Sequence, residues 1–411
     1  MDLKKVIENY GEQIRPYRDA TGWKCTRADK ETRYFFYELN KKERQSVEVK
    51  ERHAIDLLKM ALKDKKNPVV SCSFGVDSIV TLYLCRKAMV ELGRNPSDLV
   101  VFWSDTLNEF PEVRLFAKNL EKEWNLDLRI AKPKKVLKKI IEENGGVDSS
   151  YFTARKGARG EGRPLSEKCC DTLKHKPYKT FLKSGGFDLQ INGIRADESN
   201  QRFLSSLRDS EYYYASREWK ILIARPILWW DDLDIWGYVE KENIPFNDLY
   251  KKNMIKKYPD DIETFVSENK VELVNMGIDT ELLVTQQLST VTRLQAVKLK
   301  EMGFKDIYTA RTGCMMCPIP IKYGYLKWMR TYYPKVYNAM LTNLGYAKGL
   351  MGLLTKEQKE ELEFLLGIEI TIDNIDEVLK DVLVAKPCVF DFDDYKEPKK
   401  KRKKKAKKDK E

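Results

Sequence analysis

The chain has 411 residues, 42% of them hydrophobic and 34% charged, with a formal net charge of +12. That length suggests two to three domains, or one large domain with appendages, with enough apolar residues for a real core. No apolar stretch approaches the ~20 residues of a membrane-spanning helix. The start MDLKKVIENYGEQ carries no apolar segment behind its lysines, so neither a membrane association nor a signal peptide is expected, and the expected location is cytoplasmic.

Residues 1–50 read as a charged, Tyr-rich N-terminal appendage containing WKCTR (23–27) and RYFFYEL (33–39). Residues 51–64 suit a helix feeding a first strand, Val69–Ser73, after which Ile79–Leu92 suits a second helix. An α/β alternation follows: strand Leu99–Trp103, helix Glu112–Trp124 after Pro111, strand Asp127–Ala131 and helix Pro133–Asn144. The Gly- and charge-rich stretch 145–168 reads as a mobile loop over a site. Thr172–Ser184 then reads as a helix and Asp188–Ile194 as a strand. This alternation predicts a parallel sheet with helices on both faces, in an α/β nucleotide-binding domain over 51–255.

After Arg225 the pattern changes. Residues 231–242 suit a helix whose acidic first turn favours its dipole. IPFNDLY follows as an irregular segment. Residues 259–310 and 325–385 read as largely helical, with Thr355 and Asp373 as caps, giving a mainly helical domain over 256–390. The last sixteen residues, 396–411, hold eleven Lys/Arg against three Asp/Glu, a net +8 that leaves +4 for the rest. The polybasic tail 391–411 is therefore expected to be disordered. It is either a loose tether to DNA or RNA or a solubilising end.

The most informative segment is Ser73-Phe74-Gly75-Val76-Asp77-Ser78, placed between strand and helix. Gly75 permits a tight turn, and the following helix N-terminus offers N–H groups to phosphate oxygens. Ser73 and Ser78 add hydroxyls, and Asp77 is placed to hold Mg2+ or to order the loop. The stretches Ser104–Glu109 and Gly193–Ser199 also follow strands, where ligands of such sheets bind. Asp105, Asn108 and Glu109 suit nucleotide or substrate contacts, or alternatively a polar helix cap. Arg195 suits bidentate binding of phosphate or sulfate, with Asp197 or Glu198 positioning it; the bland alternative is an internal salt bridge. Arg202, Arg208 and Lys174, and in the 145–168 loop Arg155, Lys156, Arg159 and Arg163, are further anion-binding candidates. His175 reads as structural, and His53 as a surface residue of the leading helix.

Of eight cysteines, Cys169-Cys170 and Cys314-x-x-Cys317 form two tight pairs. Two thiolate pairs suit an iron–sulfur cluster or zinc; a redox pair, or no metal, remains open. Cys72 and Cys85 fall on expected core elements and read as packing residues.

Together, SFGVDS (73–78), SDTLNEFPEV (104–113), CCDTLKHKP (169–177), GIRADES (193–199), the stretch 225–250 and RTGCMMCP (311–318) resemble, in order, the phosphoadenosine-phosphosulfate reductase family of the ATP-pyrophosphatase superfamily. The resemblance covers roughly residues 65–330. It implies an adenine nucleotide α-hydrolase-like fold, ATP and Mg2+ on Ser73–Ser78, and adenosine near 104–109, with Gly193 and Arg195 beside the nucleotide. Asp77, Arg195 and Asp197 would carry the chemistry. It further implies a [4Fe-4S] cluster on Cys169, Cys170, Cys314 and Cys317.

Two departures matter. Val76 stands where many ATP-using members have Lys, and the reductases' C-terminal Glu-Cys-Gly segment is missing, leaving Cys388 as the last cysteine. These departures lead the expected function to an ATP pyrophosphatase that adenylylates nucleic acid for sulfur incorporation, as in DNA phosphorothioation. Its expected partners are DNA or tRNA and a sulfur donor such as a cysteine desulfurase, and family relatives are often homodimers. The alternatives are an adenylylsulfate or phosphoadenylylsulfate reductase using Cys388, and a non-enzymatic nucleic-acid-binding assembly protein.

Overall fold

The computed structural model describes strand residues 17–19 and 22–24, residues 46–147, 149–153, 168–198 and 202, strand 213–216, residues 221–317 and 320, and most of 325–375. Several of the expectations above lie outside the described residues: most of the N-terminal appendage, the basic positions of the 154–167 stretch, Ser199, Arg208, the caps Thr355 and Asp373, Cys388, and the polybasic tail.

Two short strands, β1 (Tyr17–Asp19) and β2 (Gly22–Lys24), pair antiparallel. Helix α1 (Val47–Leu62) is capped by Ser46, whose hydroxyl accepts from the Val49 amide. Next come β3 (Pro68–Ser71), α2 (Val76–Glu91), β4 (Val100–Ser104), α3 (Pro111–Glu123), β5 (Asp127–Ala131) and α4 (Leu137–Glu143). A helical turn at Lys168–Cys170 and a π-helical turn at Asp171–His175 run into α5 (Lys176–Gly185). Then follow β6 (Leu189–Asn192), β7 (Tyr213–Ser216), β8 (Ile221–Ala224) and α6 (Asp232–Lys241).

The six strands lie in the order β5-β4-β3-β6-β8-β7. All neighbours are parallel except β7 against β8, so an antiparallel edge closes an otherwise parallel sheet. Val69 and Val70 of β3 and Val101 of β4 are fully buried, as strands covered on both faces require. The chain leaves β3 between its two long parallel neighbours and turns at once into α2. The carboxyl ends of β3, β4 and β6 therefore open on one crevice, the usual place for a ligand in such sheets.

Helix α6 begins with a capping box: the Asp231 carboxylate accepts from the Asp234 amide at 2.9 Å, and the Asp231 amide donates to Asp234 at 2.8 Å. Beyond it, β9 (Asn253–Ile255), α7 (Ile262–Asn275), α8 (Thr280–Val284), β10 (Thr290–Val291), α9 (Arg293–Glu301) and β11 (Ile307–Tyr308) enclose a second apolar core built on Val266, Leu273, Leu299 and Phe304. The stretch 259–310 was expected to be largely helical. It also contributes β10 and β11, both antiparallel to β9 in a three-stranded sheet. Strands of two residues carry too little alternation to be seen in a sequence.

The chain then returns to the main core through α10 (Tyr325–Tyr332), α11 (Pro334–Leu341) and α12 (Tyr346–Met351). Trp328 is the pivot: it is fully buried, edge-on to Phe110 at 5.8 Å, and its indole N–H donates to the Lys252 carbonyl. Among the described residues no helix is long and apolar enough to cross a membrane.

Candidate functional site

The turn between β3 and α2 is tight because Phe74 takes a left-handed backbone, φ 58°, which costs a non-glycine residue strain. Its surroundings hold it there. The Phe74 ring is fully buried, edge-on to Trp103 and Phe116, and its carbonyl accepts from Asn247 Nδ2 at 2.7 Å. Gly75 follows with ordinary φ, and its role is space: a Cβ there would lie 2.5 Å from Thr312 Oγ1 and 3.1 Å from the Tyr250 hydroxyl. Tyr250 also accepts from the Val76 amide at 2.9 Å, capping the first N–H of α2. Ser78 turns its hydroxyl back to the Gly75 carbonyl at 2.8 Å. Gly193, after β6, is small for a related reason: its Cβ would strike the Asp77 carbonyl and Thr81 Oγ1, each at 2.7 Å.

A cavity of about 430 Å³ lies over this turn. Ser73, Gly75, Asp77 and Ser78 line it from β3–α2, Ser104 and Glu109 from the end of β4, and Gly193 from β6. Lys174 and His175 enter from the π-helical turn, and Thr312 and Gly313 from the returning C-terminal segment. π-Helical turns occur frequently at functional sites. His175 is held by Asp171, 2.7 Å from its Nδ1.

Arg195 does not present its guanidinium to the cavity. It is 3% exposed, with Nε 2.8 Å from Asp77 Oδ1, Nη2 2.5 Å from Asp232 Oδ1, and Nη1 3.8 Å from Asp197 Oδ2. The internal ion pair therefore describes its contacts, and Arg195 acts on the site by fixing Asp77. Burial raises the Asp232 carboxyl, but Arg195, Arg293 and Arg311 outweigh it and leave its pKa below the usual range.

The stretch after β4 packs inward. Asp105 accepts from the Leu107 amide and from Arg114, each at 2.8 Å, so this carboxylate is a turn clamp. Asn108 is buried with both amide atoms unpartnered. Glu109 reaches the cavity, and Thr106 donates to it at 2.7 Å. Burial lifts the Glu109 carboxyl above its ordinary pKa against the pull of Lys174, a setting suited to proton exchange.

The cysteines correct an expectation. None of the four is in a disulfide, and among the described residues no group of three or more His, Cys, Asp or Glu side chains is placed to hold a metal ion. The [4Fe-4S] cluster, and metal binding with it, are therefore not supported. Local geometry accounts for this. Cys169 and Cys170 are consecutive on a helical turn, where neighbours diverge instead of sharing a face. Cys314 pairs by a β-bridge with Glu109 and donates its Sγ–H to Thr106 Oγ1 at 3.4 Å. Burial, with Cys170 and Cys314 nearby, pushes the Cys169 thiol up to about 12. Burial works to lower the Lys174 ammonium, but Cys314, Glu109, Cys170 and Cys317 outweigh it and raise its pKa. The Asp77 carboxylate, expected to hold Mg2+ or to order the loop, lies 2.8 Å from Arg195 Nε.

Tyr250, Asn247 and Thr312 were not foreseen as site residues. They lie within the stretches 225–250 and 311–318 that carry the resemblance, but each reaches the loop from more than 170 positions away along the chain.

Fold and site together define an α/β class of protein with a polar crevice at the carboxyl ends of parallel strands. Residues 67–320 match the phosphoadenosine phosphosulfate reductase domain, and the chain belongs to that family. It is 29% identical over 221 residues to the sulfate adenylyltransferase subunit 2 of Agrobacterium fabrum, covering 49% of this chain and 62% of that protein. The chain thus spans under two thirds of that relative's length. The Pseudomonas fluorescens protein of the same description is 27% identical over 298 residues, covering 64% of this chain and 88% of its own. Among solved structures, the phosphoadenylyl-sulfate reductase from Candida auris, in a phosphate complex, aligns at 19% identity and TM-score 0.36, over 52% of this chain and 87% of that one. That likeness is too loose to carry an argument.

Proposed function

We propose that this chain is an adenylyl-transfer enzyme of sulfonucleotide metabolism. ATP lies in the 430 Å³ cavity with its phosphates over Ser73–Ser78. A sulfate oxygen attacks the α-phosphorus, the bond from that phosphorus to the bridging oxygen of the β-phosphate breaks, and the products are adenylyl sulfate and pyrophosphate. The observation that carries this reading is the turn itself: a glycine kept small by Thr312 and Tyr250, at the positive end of a sixteen-residue helix, with Lys174 on the opposite wall. The cavity volume falls in the usual range of ~300–1,000 Å³ for small-molecule sites. Similarity to sulfate adenylyltransferase subunit 2 favours sulfate as the acceptor.

In this reading Arg195 holds Asp77, and Asp77 orders the first turn of α2. Lys174 and the loop amides stabilise the charge that builds on the departing pyrophosphate. Glu109 exchanges the proton of a bound oxyanion.

Reduction of a sulfonucleotide is the nearer competitor, since the family is named for it. It requires a reactive thiolate. Cys72, the cysteine that lines the cavity among the described residues, is buried, and burial pushes its thiol up to about 11. Adenylylation of nucleic acid, supplied by a sulfur-donor protein, uses the same attack with a different acceptor.

The test is to incubate the full chain with ATP and radiolabelled sulfate and separate the nucleotides. Label in adenylyl sulfate, with equimolar pyrophosphate, is the expected result. Consumption of adenylyl sulfate with thiol oxidation, or pyrophosphate released only when DNA replaces sulfate as acceptor, overturns it.

A further inference from the structure

A second cavity, about 770 Å³, lies beside the first and is lined quite differently. Lys132, Lys134 and Lys135 enter it from the loop after β5, and Lys176 and Lys179 from α5, and among the described residues no acidic side chain lines it. Pro177 and Phe181 form an apolar wall. Several surface lysines elsewhere are matched with acids: Lys59 with Glu91, Lys241 with Glu48, Lys251 with Asp248, Lys257 with Asp260. Within the groove Lys135 meets Glu143 at 2.5 Å, whereas among the described residues Lys132, Lys134 and Lys176 have no acidic partner. Like charges gathered within one Debye length, ~10 Å, repel each other and destabilise the fold slightly. The packing offers no reason for such a cluster, and a polyanion would supply one.

The groove is joined to the nucleotide crevice. Along 174–179, Lys174, His175 and Tyr178 face the first cavity while Lys176, Pro177 and Lys179 face the second. Phe181 stacks on Phe102 at 4.1 Å, and Phe102 lines the first cavity, so the two spaces share a rigid aromatic wall. Lysines that follow a backbone beside an aromatic surface for bases are the usual construction of a single-strand binding groove.

We infer that the groove between the β5–α4 loop and α5 binds the phosphodiester backbone of a nucleic-acid strand, through Lys132, Lys134 and Lys176, and leads it past the nucleotide crevice. A small oxyanion needs one or two cations, not three spread along a channel. A flat anionic membrane would not reach into a concave one. This inference goes beyond the proposed adenylyl transfer and does not depend on it.

The experiment uses the full chain without nucleotide and a labelled oligothymidine of about twelve nucleotides, within the range of single-strand site sizes. Binding is measured across a salt series, and lysine acetylation is mapped by mass spectrometry with and without the oligonucleotide. The expected result is protection of Lys132, Lys134 and Lys176. In the triple variant Lys132→Ala/Lys134→Ala/Lys176→Ala the slope of log K against log salt should become shallower by about 2, since each single-strand phosphate contact contributes ~0.7. Lys241→Ala, on another face, should leave the slope unchanged. Protection confined to the lysines of 396–411, an unaltered slope in the triple variant, no binding by the wild-type chain, or protection of the groove lysines only by phosphatidylserine vesicles would each overturn the inference. Loss of sulfate adenylylation would not bear on it.

Discussion

The turn between β3 and α2 and the cysteine segments make an instructive pair. Both were conspicuous in the sequence, and both lie at the same end of the sheet. In the loop, a local signal is completed by distant residues that agree with it: Tyr250 caps Val76, Asn247 holds Phe74, and Thr312 fills the space that Gly75 leaves. Among the cysteines, two suggestive spacings meet surroundings that do not agree. Cys314 donates to Thr106, and among the described residues no group of three or more His, Cys, Asp or Glu side chains is placed to hold a metal ion. A turn motif is a statement about backbone, which neighbouring residues largely decide. A metal site is a statement about side-chain convergence, which only tertiary packing decides.

The sharpest way to break the loop side of this comparison is Arg195→Ala. Removing the cation leaves Asp77 and Asp232 near one another and partly buried, and breaking such a network typically destabilises by about 3–5 kcal/mol. Urea unfolding should show it; a change under 1 kcal/mol, set against that figure, would mean the network carries little. Asp77→Ala comes next. It should leave the fold intact and reduce turnover about 100-fold or more through misplacement of the reacting groups. Turnover near the wild-type rate would remove Asp77 from the site.

Gly75→Ala tests the space around the loop. Its Cβ would press on Thr312 Oγ1, and overpacking of this kind costs about 1–3 kcal/mol. The double variant Gly75→Ala/Thr312→Ala should recover part of that loss, whereas strict additivity in a double-mutant cycle would argue against the contact. Tyr250→Phe removes the hydroxyl's hydrogen bonds with the Val76 amide and the Thr312 side chain, so about 1 kcal/mol of stability for each and a raised KM for ATP are expected.

The smallest effect concerns Lys300, whose pKa burial and Arg293 lower from 10.5 to about 8. Between those values the unfolded chain binds more protons than the folded one, so this group makes stability rise with pH across that window. Lys300→Met should flatten the rise; an unchanged profile between pH 8 and 10.5 would show that the ammonium is not desolvated in solution.

Much of the fold was legible in the sequence. The β-branched run at Val69–Val70, the periodic helices and the order of the motifs placed β3 to β6 within a few residues. The antiparallel edge formed by β7 and β8, and the two-residue strands pairing with β9, were not legible, because pairing direction is set by neighbours in space. Ser73, Gly75, Asp77, Ser78, Glu109, Lys174 and Gly193 do line one cavity. Arg195 was read with two outcomes open, and its three carboxylate neighbours fix its contacts as internal. Asp105 suited a ligand contact as well as a cap, and Arg114 with the Leu107 amide makes it a clamp.

The central claim is that nucleotide phosphates rest on the turn between β3 and α2. Amide hydrogen exchange of the full chain with ATP and with adenosine tests it most directly. The account predicts that ATP slows exchange across residues 73–79 and that adenosine, lacking phosphates, does not. Equal protection by both, or ATP protection that spares this segment, would contradict it.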